Sequence, residues 1–327
     1  MKNIIITSIF NPTEAVAEFT HFKDYQLIVV GDKKTPKDWN CSSAKFISED
    51  EQIKSHFEIN QLLPWNHYCR KMIGYVYAIK NGSEVIVDTD DDNIPYSDWK
   101  VEEFDGEFLT SEEERGFINI YHYFTDKKIW PRGLPLNKIN DKDALLDMEK
   151  FKKQQVSVGV WQGLANGDPD VDAIYRLTSN EVCNFRKKEP LVLSEGTISP
   201  FNSQNTAFRK EVFPLLYLPA YVTFRFTDIL RGLVAQPILW SAGFKLGFSN
   251  ATVFQERNDH NYVKDFESEI PCYLHSEEVI DIVEGTIRGN NDISNNLFNA
   301  YEALYKKDIV EKRELELLNA WLIDIND

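Results

Sequence analysis

Long apolar runs are absent from this 327-residue chain, and basic residues are in short supply. No stretch approaches the ~20 consecutive apolar residues needed to span a bilayer, and the run in Met1-Lys-Asn-Ile-Ile-Ile-Thr-Ser is too short for a signal-peptide core. We therefore expect no transmembrane segment and a cytoplasmic location. The 36 Lys and Arg are outnumbered by 52 Asp and Glu, for a formal net charge of -16. That balance excludes a general basic field of the kind that holds nucleic acid or an anionic membrane. The four cysteines, Cys41, Cys69, Cys183 and Cys272, are widely spaced with no Cys-x-x-Cys, which argues against a zinc ribbon or redox pair. Internal repeats and low-complexity linkers are also missing. A composition of 43% hydrophobic and 13% aromatic residues remains, sufficient for a large globular core.

Acid is what the chain concentrates. In Glu84-Val-Ile-Val-Asp88-Thr-Asp90-Asp91-Asp92-Asn93, an apolar β-type run ends in four carboxylates within five residues. Like charges at that spacing raise one another's pKa unless solvent or a cation neutralises them. Hard oxygen ligands suit Mg²⁺ or Mn²⁺, and Mg²⁺ is usually held by one or two carboxylates together with substrate phosphates. The alternative is a solvated acidic turn, since a bare Asp-x-Asp is a weak signal.

The surroundings strengthen the metal reading. Asn3–Thr7 reads as a buried strand, 13–22 as a helix with Thr13 as N-cap, and 26–30 as a second strand ending at Gly31-Asp32. A weaker strand over 44–48, a helix over 68–80 and a strand over 85–87 follow. Strands alternating with helices imply an α/β fold with a mixed, mostly parallel sheet, and ligands of such sheets bind beyond the carboxyl ends of the strands. Thr7, Ser8, Asp32, Lys33 and the acidic cluster all fall at that edge. The middle of the chain carries loop-like Trp130-Pro-Arg-Gly-Leu-Pro-Leu136 and Asn166-Gly-Asp-Pro-Asp170. Trp130 and Arg132 are either a grip on sugar or phosphate, or a loop anchor with an Arg at the surface. From His275 onward the pattern is helical and charged, which suggests a catalytic domain over 1–272 and a C-terminal helical appendage over 273–327 whose role is packing, through which the chain could also homo-oligomerise.

Several motifs in fixed order resemble the glycosyltransferase-like domain of the STELLO proteins. They are Thr7-Ser-Ile-Phe-Asn-Pro12, Val30-Gly-Asp-Lys-Lys-Thr-Pro-Lys-Asp-Trp39, Leu63-Pro-Trp-Asn-His-Tyr-Cys-Arg-Lys-Met-Ile-Gly-Tyr75 and Val87-Asp-Thr-Asp-Asp-Asp92, continued by Trp130–Leu136, Gly167–Asp172, Pro200-Phe-Asn-Ser203 and Thr227-Asp-Ile-Leu-Arg-Gly232. The resemblance runs over roughly residues 3 to 272. It implies a GT-A type, Rossmann-like fold and transfer of a sugar from a nucleotide donor, most simply a UDP-sugar, to a glycan or glycolipid acceptor. The plant members are Golgi membrane proteins, so their compartment and any part in cellulose synthesis are not carried over. A more distant similarity, in Arg70-Lys-Met-Ile-Gly-Tyr75 followed by an Asp-Asp-Asp strand end, is to the UDP-arabinopyranose mutases, in which an arginine accepts the sugar transiently.

Residue roles follow from the chemistry of breaking a sugar–phosphate bond, which requires neutralisation of the departing diphosphate. We expect Asp90 and Asp92 to ligate Mn²⁺ or Mg²⁺, with His260 as a late-sequence ligand or diphosphate contact. Asp88 and Asp91 would support the nucleotide or order the loop. Arg70, Lys71 and Arg132 are candidates for the diphosphate or base, and Thr7, Ser8, Asp32 and Lys33 for the nucleotide. An inverting transferase needs a base. Asp228, an acid among apolar residues at an expected helix start, is our candidate, with Arg231 beside it to pair with Asp228 or grip phosphate.

Overall fold

A computed structural model describes residues 1–256, 261–287 and 291–326. The strands in chain order are β1 (Lys2–Ser8), β2 (Tyr25–Gly31), β3 (Ala44–Ile47), β4 (Val85–Thr89), β5 (Asn93–Pro95), β6 (Asp105–Thr110), β7 (Gly116–Phe117), β8 (Lys152–Gly167), β9 (Leu191–Leu193), β10 (Thr197–Ile198), β11 (Asn205–Arg209) and β12 (Lys245–Gln255). The helices are α1 (Glu14–Phe19), α2 (Glu49–Lys54), α3 (Ile59–Leu62), α4 (Lys71–Lys80), α5 (Tyr121–Phe124), α6 (Ala173–Thr178), α7 (Thr227–Ser241), α8 (Tyr262–Thr286), α9 (Ile293–Lys306) and α10 (Lys312–Asn326).

A ten-stranded mixed sheet with order β3-β2-β1-β4-β11-β8-β6-β9-β12-β5 forms the centre, flanked by helices as the sequence predicted. Its first four strands are parallel, whereas β11 runs antiparallel to both β4 and β8. The β1–α1–β2 start is built as expected, and Thr13 caps α1 by accepting the Val16 N–H. Chain order reverses direction at β1, with β2 on one side and β4 on the other, so a crevice opens between the ends of β1 and β4. Two close approaches set the helices against that crevice. A Cβ on Gly74 would lie 2.7 Å from Ile5 and 2.8 Å from Val30, which seats α4 directly on β1 and β2. A Cβ on Gly232 would lie 2.5 Å from the Phe201 carbonyl oxygen, which brings α7 onto the loop before β11.

The C-terminal helices are part of this body. The boundary expected at 272/273 falls within α8, and Leu297, Tyr301, Leu304 and Trp321 share one buried cluster with Ile5, Ile28 and Ile73. Asp324 of α10 accepts the N–H groups of Glu58 and Ile59 at 2.9 Å each, which anchors the start of α3. Glu314, fully buried, accepts from the Tyr217 hydroxyl and from the N–H groups of Ala220 and Tyr221. No helix among the described residues is long and apolar enough to cross a membrane.

Candidate functional site

The acidic cluster occupies a turn strung between two anchored strands. β4 lies between β1 and β11, and β5, three residues further on, pairs with the far end of β12. Thr89 Oγ1 and Asn93 Nδ2 both donate to the Gln204 carbonyl, at 2.7 and 2.9 Å, so the turn is closed at its two ends by the same acceptor. Within it, Asp91 accepts from Ser8 Oγ at 2.5 Å and from Thr13 Oγ1, through its carbonyl, at 2.6 Å. Asp92 accepts from Gln255 Nε2 at 2.9 Å.

Beneath the turn lies a buried ionic network. Lys71, the first residue of α4, places Nζ 2.7 Å from Asp88 Oδ1, 2.8 Å from Asp90 Oδ1 and 2.8 Å from the Thr89 carbonyl oxygen. Nζ donates to the Thr89 carbonyl and to Asp90 and forms an ion pair with Asp88. Burial alone would depress the Lys71 pKa, but Asp88 and Asp90 outweigh it and hold the ammonium above its ordinary value. The other oxygen of Asp88 takes Arg231 Nη1 at 2.8 Å, while Arg231 Nη2 donates to the Asn202 carbonyl and Ser203 Oγ. Arg231 therefore pairs with Asp88 and not with Asp228, and it reaches the network from α7, below the pocket. Asp88, 0% exposed, orders the turn and has no surface to offer a ribose.

Asp90 differs from its neighbours. Its side chain is 39% exposed at the pocket, and burial, opposed by Lys71 but reinforced by Asp92 and Asp88, raises its pKa to about 7. A cation brought to Asp90 and Asp92 would relieve that repulsion. Among the described residues no three His, Cys, Asp or Glu side chains converge as a self-contained metal site. The donor set fits a divalent ion held by two carboxylates and completed by ligand phosphates. His260 lies outside the described residues.

The pocket has a volume of about 410 Å³. One wall is built around Arg132, whose guanidinium bridges two carboxylates. Nε and Nη2 bond Asp170 at 2.8 Å each, and Nη1 and Nη2 bond Asp228 at 3.0 and 3.1 Å. Asn202 Nδ2 adds 2.9 Å to Asp170, and the Ser203 N–H adds 3.2 Å to Asp228. Burial pushes the Asp228 carboxyl up, but Arg132, Arg231 and the Ser203 N–H outweigh it and hold it below the usual carboxylate range. This hold opposes the expected role of Asp228 as base, because a carboxylate kept low takes a proton weakly. Trp130 is an anchor: it is 6% exposed and donates from Nε1 to Asp172 at 2.7 Å.

At the β2 end, Asp32 accepts from the N–H groups of Lys33 (2.6 Å), Asn66 (2.9 Å) and His67 (3.2 Å). It lines the pocket as a loop clamp. Thr7, Ser8 and Lys34 line it too, whereas Lys33 sits 5.2 Å over the Trp65 ring. Arg70 stacks on Trp65 at 3.5 Å and bonds Gln52, Leu63 and Asn60, away from the pocket, with its pKa lowered to about 10 by burial.

Sequence reasoning missed Asn66, His67, Asp168, Asp170, Arg176, Asn202, Gln204, Phe224 and Gln255 as pocket residues. The polar loop Asn166–Asp170 was visible, but its chemistry depends on Arg132, 38 positions away from Asp170. Among the described lining residues, Asp32, Asp90, Asp91, Asp92, Asp168, Asp170, Asp228 and Asp265 face only Lys34, Arg132, Arg176 and Arg225. A free diphosphate would meet an excess of negative charge here.

Comparison with known proteins bears on this pocket. The family model of the STELLO glycosyltransferases matches residues 225–327, which begin at the pocket wall and continue through α7 to α10. Two Arabidopsis thaliana proteins, Probable glycosyltransferase STELLO2 and Probable glycosyltransferase STELLO1, are each 27% identical over 344 residues, covering 99% of this chain. The chain is similar to the STELLO glycosyltransferases. It spans 44% of the length of those two relatives. A solved structure titled Crystal Structure of a Mycobacterial Protein aligns with a TM-score of 0.43 and 10% identity, over 85% of this chain and 75% of that one. The STELLO match reaches the end of α10, so the helices set apart as an appendage belong to the region of likeness.

Proposed function

We propose that the chain is a metal-dependent glycosyltransferase that moves a sugar from a nucleotide-diphosphate donor, a UDP-sugar, to a glycan or glycolipid acceptor in polysaccharide assembly. One observation carries the reading: the partly exposed carboxylates Asp90 and Asp92 lie together on a turn fixed at both ends and line the pocket. Asp90 and Asp92 would hold Mn²⁺ or Mg²⁺, and the bound ion would offset charge growing on the departing diphosphate. Lys71 and Arg231 set the turn from below. Asp170 and Asp228 hold the Arg132 guanidinium at the pocket wall, a positioning role that takes the place of proton transfer by Asp228.

The mutase alternative requires an arginine at the sugar, and Arg70 is turned onto Trp65. Arg176, a pocket residue 2.6 Å from Asp168, would have to serve instead. The deciding experiment is thermal shift with UDP- and GDP-sugars, each with and without Mn²⁺, followed by product analysis with and without acceptor glycans. A ligand that binds the folded state raises the midpoint by mass action. A Mn²⁺-dependent shift followed by transfer supports the reading. Conversion of a UDP-sugar without acceptor supports the mutase, binding without turnover leaves a nucleotide-sugar scaffold, a shift that ignores Mn²⁺ overturns the metal-dependent transferase, and no shift with any nucleotide sugar overturns all three.

A further inference from the structure

The pocket corner formed by residues 66–68 has features that an ordinary loop does not need. Asn66 is held at φ +56°, a left-handed conformation that costs a non-glycine residue free energy and that persists where surroundings enforce it. The enforcement comes from Asp32, whose two oxygens accept the N–H groups of Asn66 and His67. His67 Nδ1 in turn accepts the Cys69 N–H at 3.1 Å. An imidazole whose Nδ1 accepts, and which burial keeps neutral by lowering its pKa, carries its proton on Nε2. No protein acceptor for that Nε2–H occurs among the described residues, and His67 lines the pocket. Its ring stacks on Tyr68 at 5.3 Å with an interplanar angle of 14°, and Phe224 closes against both rings at 5.2 and 4.8 Å while staying 53% exposed.

Position narrows what this corner meets. The acidic turn follows β4 on one side of the crevice, and the corner is tied to the end of β2 on the other. A ligand whose diphosphate lies at the turn turns its nucleoside end toward β2. We infer that His67, Tyr68 and Phe224 form a nucleobase-binding corner in which the His67 Nε2–H donates to a carbonyl oxygen of the ring and the aromatic side chains pack on its face. The inference rests on the nucleotide-sugar reading above and adds to it the residue that recognises the base. Uracil and guanine carry a ring carbonyl and adenine does not, so the corner selects UDP or GDP over ADP.

Two substitutions separate recognition from support. His67→Asn keeps an acceptor where Nδ1 lies and withdraws the donor, whereas His67→Gln keeps a donor near Nε2 and withdraws the acceptor. Calorimetric titration of each full-length protein with UDP and with ADP, in the presence of Mn²⁺, reads the difference. We expect His67→Asn to weaken UDP about tenfold with no change for ADP, and His67→Gln to stay within about threefold of wild type, the range of one hydrogen bond. Equal UDP affinity in His67→Asn and wild type overturns the inference. So does the reverse order of the two variants, which is the outcome for a His67 that only caps the turn. A wild-type protein that binds none of UDP, GDP and ADP with Mn²⁺ overturns the nucleotide-sugar reading itself, and the inference with it.

Discussion

The two acidic groups that line the pocket, joined through Asn202 and Ser203, are built alike and finished differently. On one side Asp170 and Asp228 clasp Arg132, with side chains only 11% and 8% exposed. On the other, Lys71 and Arg231 hold Asp88 from beneath, Lys71 also pairs with one oxygen of Asp90, and the acidic run continues outward through Asp90 and Asp92 to line the pocket. Both use a buried cation, so a count of acids or of ion pairs does not distinguish them. What does is how far the carboxylates reach into the pocket. The Arg132 group is nearly buried and serves as wall. The turn is anchored from below, and Asp90, 39% exposed, extends to where a cation could meet it.

Breaking the buried half of the turn should cost most. Asp88→Ala leaves the Arg231 guanidinium and part of the Lys71 ammonium without counter-charge at full burial, and we expect a loss of about 3 to 5 kcal/mol in urea unfolding. A loss below about 1 kcal/mol would mean that the network is not closed. Arg132→Met should cost about 2 to 4 kcal/mol by the same argument, since it leaves Asp170 and Asp228 facing each other. Adding Asp228→Asn should recover part of that loss, a coupling that a double-mutant cycle measures directly.

The open half should behave oppositely. Asp90→Asn is expected to change stability by less than about 1 kcal/mol, because Asp90 is partly exposed and Lys71 keeps Asp88 as its buried counter-charge. The same substitution should abolish any Mn²⁺-dependent rise in melting temperature. A large destabilisation with the Mn²⁺ effect intact would erase the distinction between wall and turn.

The smallest effect is in pH. Burial, only partly offset by the Tyr175 N–H and Trp130 Nε1–H, raises the Asp172 pKa to about 6 from 3.8. Between those values the folded chain binds more protons at this site than the unfolded chain, so the Asp172 contribution is present at low pH and is lost as pH rises from about 4 to 6. Asp172→Asn should flatten the wild-type slope in that window, measured by melting temperature at constant ionic strength. An unchanged difference between wild type and variant across the window would refute the assignment.

The turn was legible in the sequence and the wall was not, for a physical reason. Residues 84–93 carry strand, charge and spacing in one continuous stretch, so periodicity and repulsion are enough to flag them. The helix cap at Thr13 and the parallel β1–α1–β2 start were readable in the same local way. Arg132 and Asp228 stand out singly, as a grip and as a base, but their pairing with each other and with Asp170 arises only when the segment after β8, the 200–204 loop and α7 are packed together. The same limit misled the reading of Arg70 and Lys71. Both were flagged as cations at a helix start, but sequence carries no signal for which way such a side chain turns. Lys71 turned under the turn and Arg70 onto Trp65.

Asp324 holds the first N–H groups of α3 from 266 and 265 residues away. On a ribosome, the chain emits its acidic turn well before the carboxylate that anchors α3, in the segment leading to Asn66 and His67. The entropy of closing so long a loop must be met before that contact returns anything. Chains cut before α10 would thus display the carboxylates of residues 88–92 without a finished segment before His67, and the pocket would mature only once α10 has docked.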